Sequence, residues 1–215
     1  MLASAPALDT QTNISRVDID ASLRAGDGRL HLVLAQTSAS PLDAIKHDAS
    51  RPATVMAIEE LLRGRAGKHA SPVLRNFAPS NVPATIVLPE YALGFPDWVA
   101  VDDAVRACAQ PVLLVVGFGA TLAQPLIQWS QGAGATKRIL SWDEAQTPLA
   151  PARPVNGAFC WVHLPQQDTA CIALIKNHLE QSTEAVALSA MQEGVTLLHL
   201  RFNDIDVFPM ICADL

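Results

Sequence analysis

Short hydrophobic runs alternate with polar segments along most of the chain. Three of these runs, at 30–36, 84–90 and 111–119, are short and rich in Val, Ile and Leu, which predicts buried β-strands. Between them, hydrophobic residues recur at helical spacing after Pro52 and again after Pro96, which predicts two helices. The first half therefore alternates strand, helix, strand, helix, strand, a pattern typical of α/β layering.

Each predicted helix has one hydrophobic face. The second helix follows Asp97, which is a plausible N-cap because its carboxylate can accept a bond from the first turn. The positions that form the two faces are Val55, Ile58, Leu61 and Leu62 in the first helix, and Trp98, Val101, Val105 and Cys108 in the second.

The second half of the chain is predicted to be mainly β-structure. Residues 120–157 are rich in Ala, Gly, Pro and Gln and are interpreted as a long connection with room for one short element. The hydrophobic runs at 158–165 and 169–176 are four residues apart, which predicts a hairpin. A second hairpin is predicted from the runs at 195–202 and 205–212.

Two further segments carry weaker signals. Residues 183–193 are predicted to form a helix. Residues 1–28 are polar, show no sustained period and are interpreted as an N-terminal tail or peripheral segment. Residues 29–215 are then interpreted as one domain.

Composition narrows the classes of protein to consider. The 215 residues are 50% hydrophobic and 17% charged, with a net charge of −6, which is typical of a globular domain. No Lys/Arg cluster indicates a nucleic-acid partner, and no apolar run approaches the roughly 20 residues that cross a bilayer. The N-terminus lacks the pattern of a secretory signal, and the four cysteines are scattered. We therefore expect a cytoplasmic protein without a membrane partner.

Three chemically active side chains stand at the ends of hydrophobic runs. Glu90 closes TIVLPE, Lys176 closes TACIALIK, and Cys212 closes VFPMIC. A thiol attacks as the thiolate, which forms readily beside a base or a positive charge. Glu90 is suited to act as that base, because burial at a strand end is expected to raise its pKa. Lys176 is suited to stabilise an oxyanion. The three residues together predict a covalent acyl-transfer site.

The segments around these residues resemble a known family. LPEYALGFP, IKNHLEQSTE and FPMICADL resemble, in this order, the three catalytic motifs of the carbon–nitrogen hydrolase (nitrilase) superfamily, and the resemblance covers roughly residues 29–215. It implies a Glu-Lys-Cys triad of Glu90, Lys176 and Cys212. It also implies an α-β-β-α sandwich, often dimeric or larger, that needs no metal or organic cofactor.

The resemblance also implies supporting residues and a reaction. Glu184 would orient Lys176 and Glu90, the backbone N–H of Ala213 would help to bind the oxyanion, and His178 would be structural. Cys212 would attack a small amide, nitrile or carbamoyl-type substrate and form a thioester that water hydrolyses.

The sequence departs from the family pattern in three places. Glu90 and Lys176 are 86 positions apart, which is longer than the family pattern predicts. Ile175 stands before the lysine, where an aromatic residue or Arg is common. Family members continue well beyond the cysteine, so we expect this chain to be the N-terminal two thirds of the sandwich, either as part of a larger protein or completed by another chain.

Two alternative functions stay open, and these departures motivate the first of them. The fold is a candidate for a non-catalytic sensing or assembly module, and the same triad is a candidate for an N-acyltransferase in which an amine or alcohol replaces water. Other motifs fail: Gly117-x-Gly119 is followed by Leu122 where a dinucleotide fingerprint has its third glycine, and Cys160 and His163 would point to opposite faces of a strand, which argues against zinc.

Overall fold

The computed structural model describes residues 13–36, 49–66, 83–132, 136–142, 148–177 and 191–211, which form a mixed α/β structure. The strands are β1 (Asn13–Asp18), β2 (Leu32–Leu34), β3 (Ala84–Leu93), β4 (Val112–Leu122), β5 (Lys137–Ser141), β6 (Pro154–His163), β7 (Ala170–Ile175), β8 (Thr196–Arg201) and β9 (Asp206–Val207). The α-helices are α1 (Pro52–Ala66), α2 (Trp98–Arg106) and α3 (Ala123–Gln131), and a 3-10 turn at Phe95–Asp97 leads into α2.

A six-stranded sheet in the order β2-β3-β4-β6-β7-β5 forms the centre of the described structure. Strands β2, β3 and β4 are parallel, with α1 and α2 as the crossovers. Strand β6 is antiparallel to both β4 and β7, so β7 runs in the same direction as β3 and β4. The carboxyl ends of β3 and β7 therefore meet the amino end of β6 at one edge of the sheet.

Successive side chains of the central strands point to opposite faces of this sheet, and both faces are buried. In β6, Phe159 and Trp161 pack on the helix side with residues of α1, α2 and α3. Their neighbours Cys160 and Val162 face the opposite side. Strands buried on both faces read as continuous hydrophobic runs, which explains why the sequence pattern located them.

A three-stranded sheet in the order β1-β8-β9 covers that opposite side. Leu198 and Leu200 of β8 pack against residues of β6 and β7 and form a second core between the two sheets. The described layers are thus helices, large sheet and small sheet. Within the described residues, no helix is long and hydrophobic enough to cross a membrane.

Most predicted elements of the first half are confirmed. The strands predicted at 84–90 and 111–119 correspond to β3 and β4, and the two predicted helices correspond to α1 and α2. The strand predicted at 30–36 is present as β2, but its prediction as a buried strand is wrong: β2 has only three residues at the edge of the sheet, and Leu32 and Leu34 are exposed. The 158–165 and 169–176 hairpin is confirmed as β6 and β7, which pair antiparallel. The second hairpin is confirmed as β8 and β9, although β9 has two residues rather than eight.

Other expectations differ from the structure. The segment interpreted as a tail contains β1, whose side chains alternate between half-buried and exposed, because it pairs in parallel with β8. The long connection at 120–157 contains the end of β4, α3, β5 and the start of β6. The helix predicted at 183–193 falls mostly outside the described residues.

Asp97 lies at the predicted N-cap position but makes no side-chain cap bond. Its buried carboxylate instead accepts hydrogen bonds from the Ser50 hydroxyl and from the backbone N–H groups of Arg51 (2.6 Å) and Gly94 (3.3 Å). Asp97 therefore ties the segment that enters α1 to the end of β3.

Candidate active site

The carboxyl end of β3 departs from regular pairing. Leu88 pairs with Val116 and Leu93 with Phe118, so four residues of β3 bulge over a stretch where β4 has one. Pro89 begins this bulge and has no N–H to donate to the ladder. Tyr91 has a φ of 59°, a left-handed conformation that costs a non-glycine residue roughly 1–2 kcal/mol. Glu90 lies within the bulge, which changes the direction in which its side chain leaves the strand.

Gly117 of β4 makes room for this bulge. A Cβ atom at Gly117 would lie 2.5 Å from the Glu90 Cα and 2.7 Å from the Pro89 carbonyl oxygen. Alternation along β4 puts Gly117 on the same face as Leu113, which belongs to the core between the sheets. The backbone of Glu90 therefore occupies the space that a side chain of β4 would fill on the inter-sheet face.

Glu90 and Lys176 form a close ion pair. The Lys176 Nζ lies 2.8 Å from the Glu90 Oε1, although their strands are three steps apart in the sheet, about 14 Å at ordinary strand spacing. The bulge of β3 and the length of the lysine side chain together span this distance. The lysine side chain is 1% exposed and the glutamate side chain 17% exposed, so water reaches the pair from the glutamate side.

Asn156 of β6 completes the cluster. Its Nδ2 donates to the Glu90 Oε1 at 2.6 Å and to the Tyr91 hydroxyl oxygen at 3.0 Å. The Lys176 N–H donates to the Asn156 carbonyl oxygen at 2.8 Å, which continues the β6–β7 ladder one position beyond the Gly157–Ile175 pair. Asn156 and Lys176 are therefore cross-strand neighbours on one face of the sheet.

The segment that leads into β8 supports Lys176 from the other side. The Gly194 N–H donates to the Lys176 carbonyl oxygen at 2.7 Å, and the Thr196 N–H donates to the Asn177 Oδ1 at 3.2 Å. A Cβ atom at Gly194 would lie 2.4 Å from the Ile175 carbonyl oxygen, so glycine permits this close approach. The backbone on both sides of Lys176 is thus hydrogen-bonded.

The ion pair lies on the side of the large sheet that faces the small sheet. Alternation along β6 puts Asn156 on the face of Ala158 and Cys160, which pack between the sheets. Ile211, which directly precedes Cys212 in the sequence, is 6% exposed and packs in the same inter-sheet core. Ile211 thus lies on the side of the sheet that carries Glu90 and Lys176.

Of the predicted site residues, the structure describes Glu90 and Lys176 and brings them into contact. Cys212, Ala213, His178 and Glu184 lie outside the described residues, and their positions and roles stay predictions.

The other three cysteines are buried in the described structure and none forms a disulfide. Burial raises the pKa of the Cys160 thiol and of the Cys171 thiol well above the ordinary value of 9.0. These two thiols are therefore protonated at neutral pH. Cys108, at the end of α2, directs its thiol at the Ala104 carbonyl oxygen (3.6 Å).

Sequence reasoning missed Asn156, Tyr91 and Gly117. Asn156 lies in the stretch that was interpreted as a connection, because the hydrophobic run begins two residues later. Gly117 was considered only as part of a failed dinucleotide fingerprint. The useful signal is a glycine in the middle of a hydrophobic strand, which indicates a close approach of another backbone.

Within the described ranges, no three His, Cys, Asp or Glu side chains are grouped so that they could hold a metal ion. Comparisons of the chain with protein-family models, with curated proteins and with solved structures find no match.

Proposed function

We propose that this protein is a nitrilase-like hydrolase of non-peptide carbon–nitrogen bonds that acts through Cys212, Lys176 and Glu90. The observation that supports the proposal is the Glu90–Lys176 ion pair, at 2.8 Å, on the inter-sheet face on which Ile211 packs. The sequence alone predicted that these two residues meet, although they are 86 positions apart in the chain.

The energetics of the pair favour a functional interpretation. Taking two charges out of water is expensive, and hydrophobic residues of the same volume often stabilise a fold equally well or better. A partly buried ion pair in a cluster at a sheet edge is therefore weak evidence for a purely stabilising role. Active sites are where desolvated ionisable groups with a specific charge partner concentrate.

In the proposed reaction, Glu90 takes the proton from the Cys212 thiol and the sulfur attacks the carbonyl carbon of an amide. The C=O electron pair moves to oxygen, and Lys176 and the Ala213 N–H stabilise this oxyanion. The intermediate collapses to a thioester as the C–N bond breaks, and the amine leaves with the proton from Glu90. Glu90 then takes a proton from water, whose oxygen attacks the thioester and releases the carboxylic acid. Cys212 recovers its proton.

We also propose that the fold is the nitrilase-type α-β-β-α sandwich. The helices, the large sheet and the small sheet would be its first three layers. Two exposed hydrophobic side chains, Ile14 of β1 and Phe208, which stacks on His199 of β8, are consistent with a further layer on the outer face of the small sheet.

The test measures how fast each cysteine of the full chain reacts with iodoacetamide, with the labelled peptide located by mass. If Cys212 is a primed nucleophile, it is labelled faster than Cys108, and Glu90→Gln slows labelling of Cys212 without changing that of Cys108. Cys212→Ala supplies the background. Equal rates for Cys212 and Cys108 would refute the catalytic proposal and favour a non-catalytic module.

A panel of small amides and nitriles then identifies the substrate class. A substrate leaves an acyl adduct on Cys212 that mass spectrometry detects. If the adduct turns over in water alone, the protein is a hydrolase; if turnover needs an added amine or alcohol, it is an acyltransferase.

A further inference from the structure

Asn156 has an arrangement that a merely structural amide does not need. It is fully buried, and its Nδ2 carries two N–H donors, both directed at the bulge of β3. One donates to the Glu90 Oε1 and the other to the hydroxyl of Tyr91, the next residue along the chain. A single side chain of β6 thus holds two consecutive residues of the bulge.

The two donors to Glu90 converge on one of its two oxygens. Lys176 Nζ reaches Oε1 at 2.8 Å and Asn156 Nδ2 reaches the same atom at 2.6 Å. A carboxylate oxygen has two lone-pair sites, and these two bonds occupy both sites of Oε1. Oε1 of Glu90 is therefore held by two side chains from two different strands.

We infer that Asn156 is a positioning residue: together with Lys176 it fixes Oε1 of Glu90 and so sets the orientation of the carboxylate that acts as the general base. The inference rests on the proposed function for the reaction in which Glu90 takes part. Without the Asn156 amide, the carboxylate can turn away from Lys176, and proton transfer from the Cys212 thiol should slow.

The first experiment measures the rate of Cys212 alkylation in Asn156→Ala and in Asn156→Asp. The alanine removes the donor, and we expect a loss of about tenfold, the order that a hydrogen bond to a charged group supports. The aspartate has nearly the same shape but puts a second carboxylate against Oε1, and we expect it to be slower than the alanine. Tyr91→Phe removes one anchor of the Asn156 amide but leaves the Glu90 contact, and we expect an intermediate rate.

The matched control is Asn203→Ala. Asn203 also donates from its Nδ2 to a carboxylate, that of Asp20 at 2.9 Å, but this pair is exposed and belongs to the small-sheet side of the chain. We expect it to leave the alkylation rate of Cys212 unchanged. Wild-type rates in both Asn156→Ala and Asn156→Asp would overturn the inference.

A second measurement does not depend on catalysis or on the folding of the Asn156 variants. In the 1H–15N spectrum of the wild-type chain, the Asn156 side-chain amide proton that faces Glu90 should lie strongly downfield of its partner and move upfield in Glu90→Gln. Two amide protons at ordinary positions would overturn the inference. If Glu90→Gln moves the amide signal but leaves Cys212 labelling unchanged, the proposed function fails while the Asn156–Glu90 bond stands.

Discussion

Replacing Gly117 by alanine should displace the backbone of Glu90 and so break the ion pair between Glu90 and Lys176. The added carbon would lie 2.5 Å from the Glu90 Cα, whereas carbon atoms in contact are about 3.5–4.0 Å apart. The bulge must therefore shift by about 1 Å, because the neighbouring atoms are backbone atoms that cannot rotate away. A shift of this size would stretch the 2.8 Å contact between Lys176 and Glu90 beyond hydrogen-bond range.

Two readouts follow from this shift. Overpacking of this kind costs about 1–3 kcal/mol in the free energy of unfolding, which urea denaturation measures. Misplacement by 1 Å can cost on the order of 100-fold in rate, so alkylation of Cys212 should fall by a factor between 10 and about 100.

Two controls separate the local effect from a general loss of stability. Gly26 has nothing within 4 Å of the position of an added Cβ, so Gly26→Ala should change neither stability nor labelling. Ile58 is fully buried on α1 in the helix-side core. Ile58→Val should lower the free energy of unfolding by about 1 kcal/mol without slowing the alkylation of Cys212. If Gly117→Ala is as stable as the parent and is labelled equally fast, the account of the bulge is wrong.

A double-mutant cycle tests the link to the ion pair directly. Lys176→Met leaves a partly buried carboxylate without its cation, which costs up to about 3–5 kcal/mol. We expect a smaller cost in the Gly117→Ala background, because the pair is already weakened there. Additive costs would show that Gly117 and Lys176 act independently.

Three further predictions concern stability. Asp102, buried on α2, accepts bonds from the Trp161 Nε1–H (3.0 Å) and from two other side chains, so Asp102→Asn should lower the free energy of unfolding by about 1–3 kcal/mol in urea. Asp97→Asn should cost about 2 kcal/mol and raise amide exchange at the start of α1, whereas protection equal to the parent's would contradict the role given to its carboxylate. Burial raises the pKa of Cys160 and of Cys171, so the unfolded chain releases these protons first as the pH rises. Stability should be independent of these thiols below about pH 8 and fall between pH 9 and 11 by about 1.4 kcal/mol per unit for each; Cys160→Ala should lessen this slope.

The sequence pattern located the strands that are buried on both faces, because such strands are continuous hydrophobic runs. It also located α1 and α2, whose hydrophobic faces repeat at helical spacing. It missed β1 and β5, which expose alternate or charged side chains and are defined by pairing partners far away in the chain. It missed α3, a nine-residue helix that contains Pro125 and whose N-cap makes no side-chain bond.

At the candidate site, the sequence predicted the residue types but not the geometry. Glu90 and Lys176 were identified because each charged residue follows a hydrophobic run. The bulge that turns Glu90 depends on the space at Gly117 and on the amide of Asn156, and both are properties of neighbouring strands. Such requirements between strands give only a weak sequence signal, which here is a glycine in one strand and a buried asparagine at the start of another.

The pairing of β1 with β8 has a consequence for the order in which the chain folds. Asn13 is opposite Thr196, 183 positions later, so β1 leaves the ribosome long before its partner is made. At ordinary rates of synthesis the delay is roughly ten to forty seconds. Of the described layers, the small sheet must therefore be the last to assemble, and the nascent β1 has no strand to pair with during that time. Arg16 and Asp18, which are exposed and form an ion pair, make this edge a poor template for aggregation.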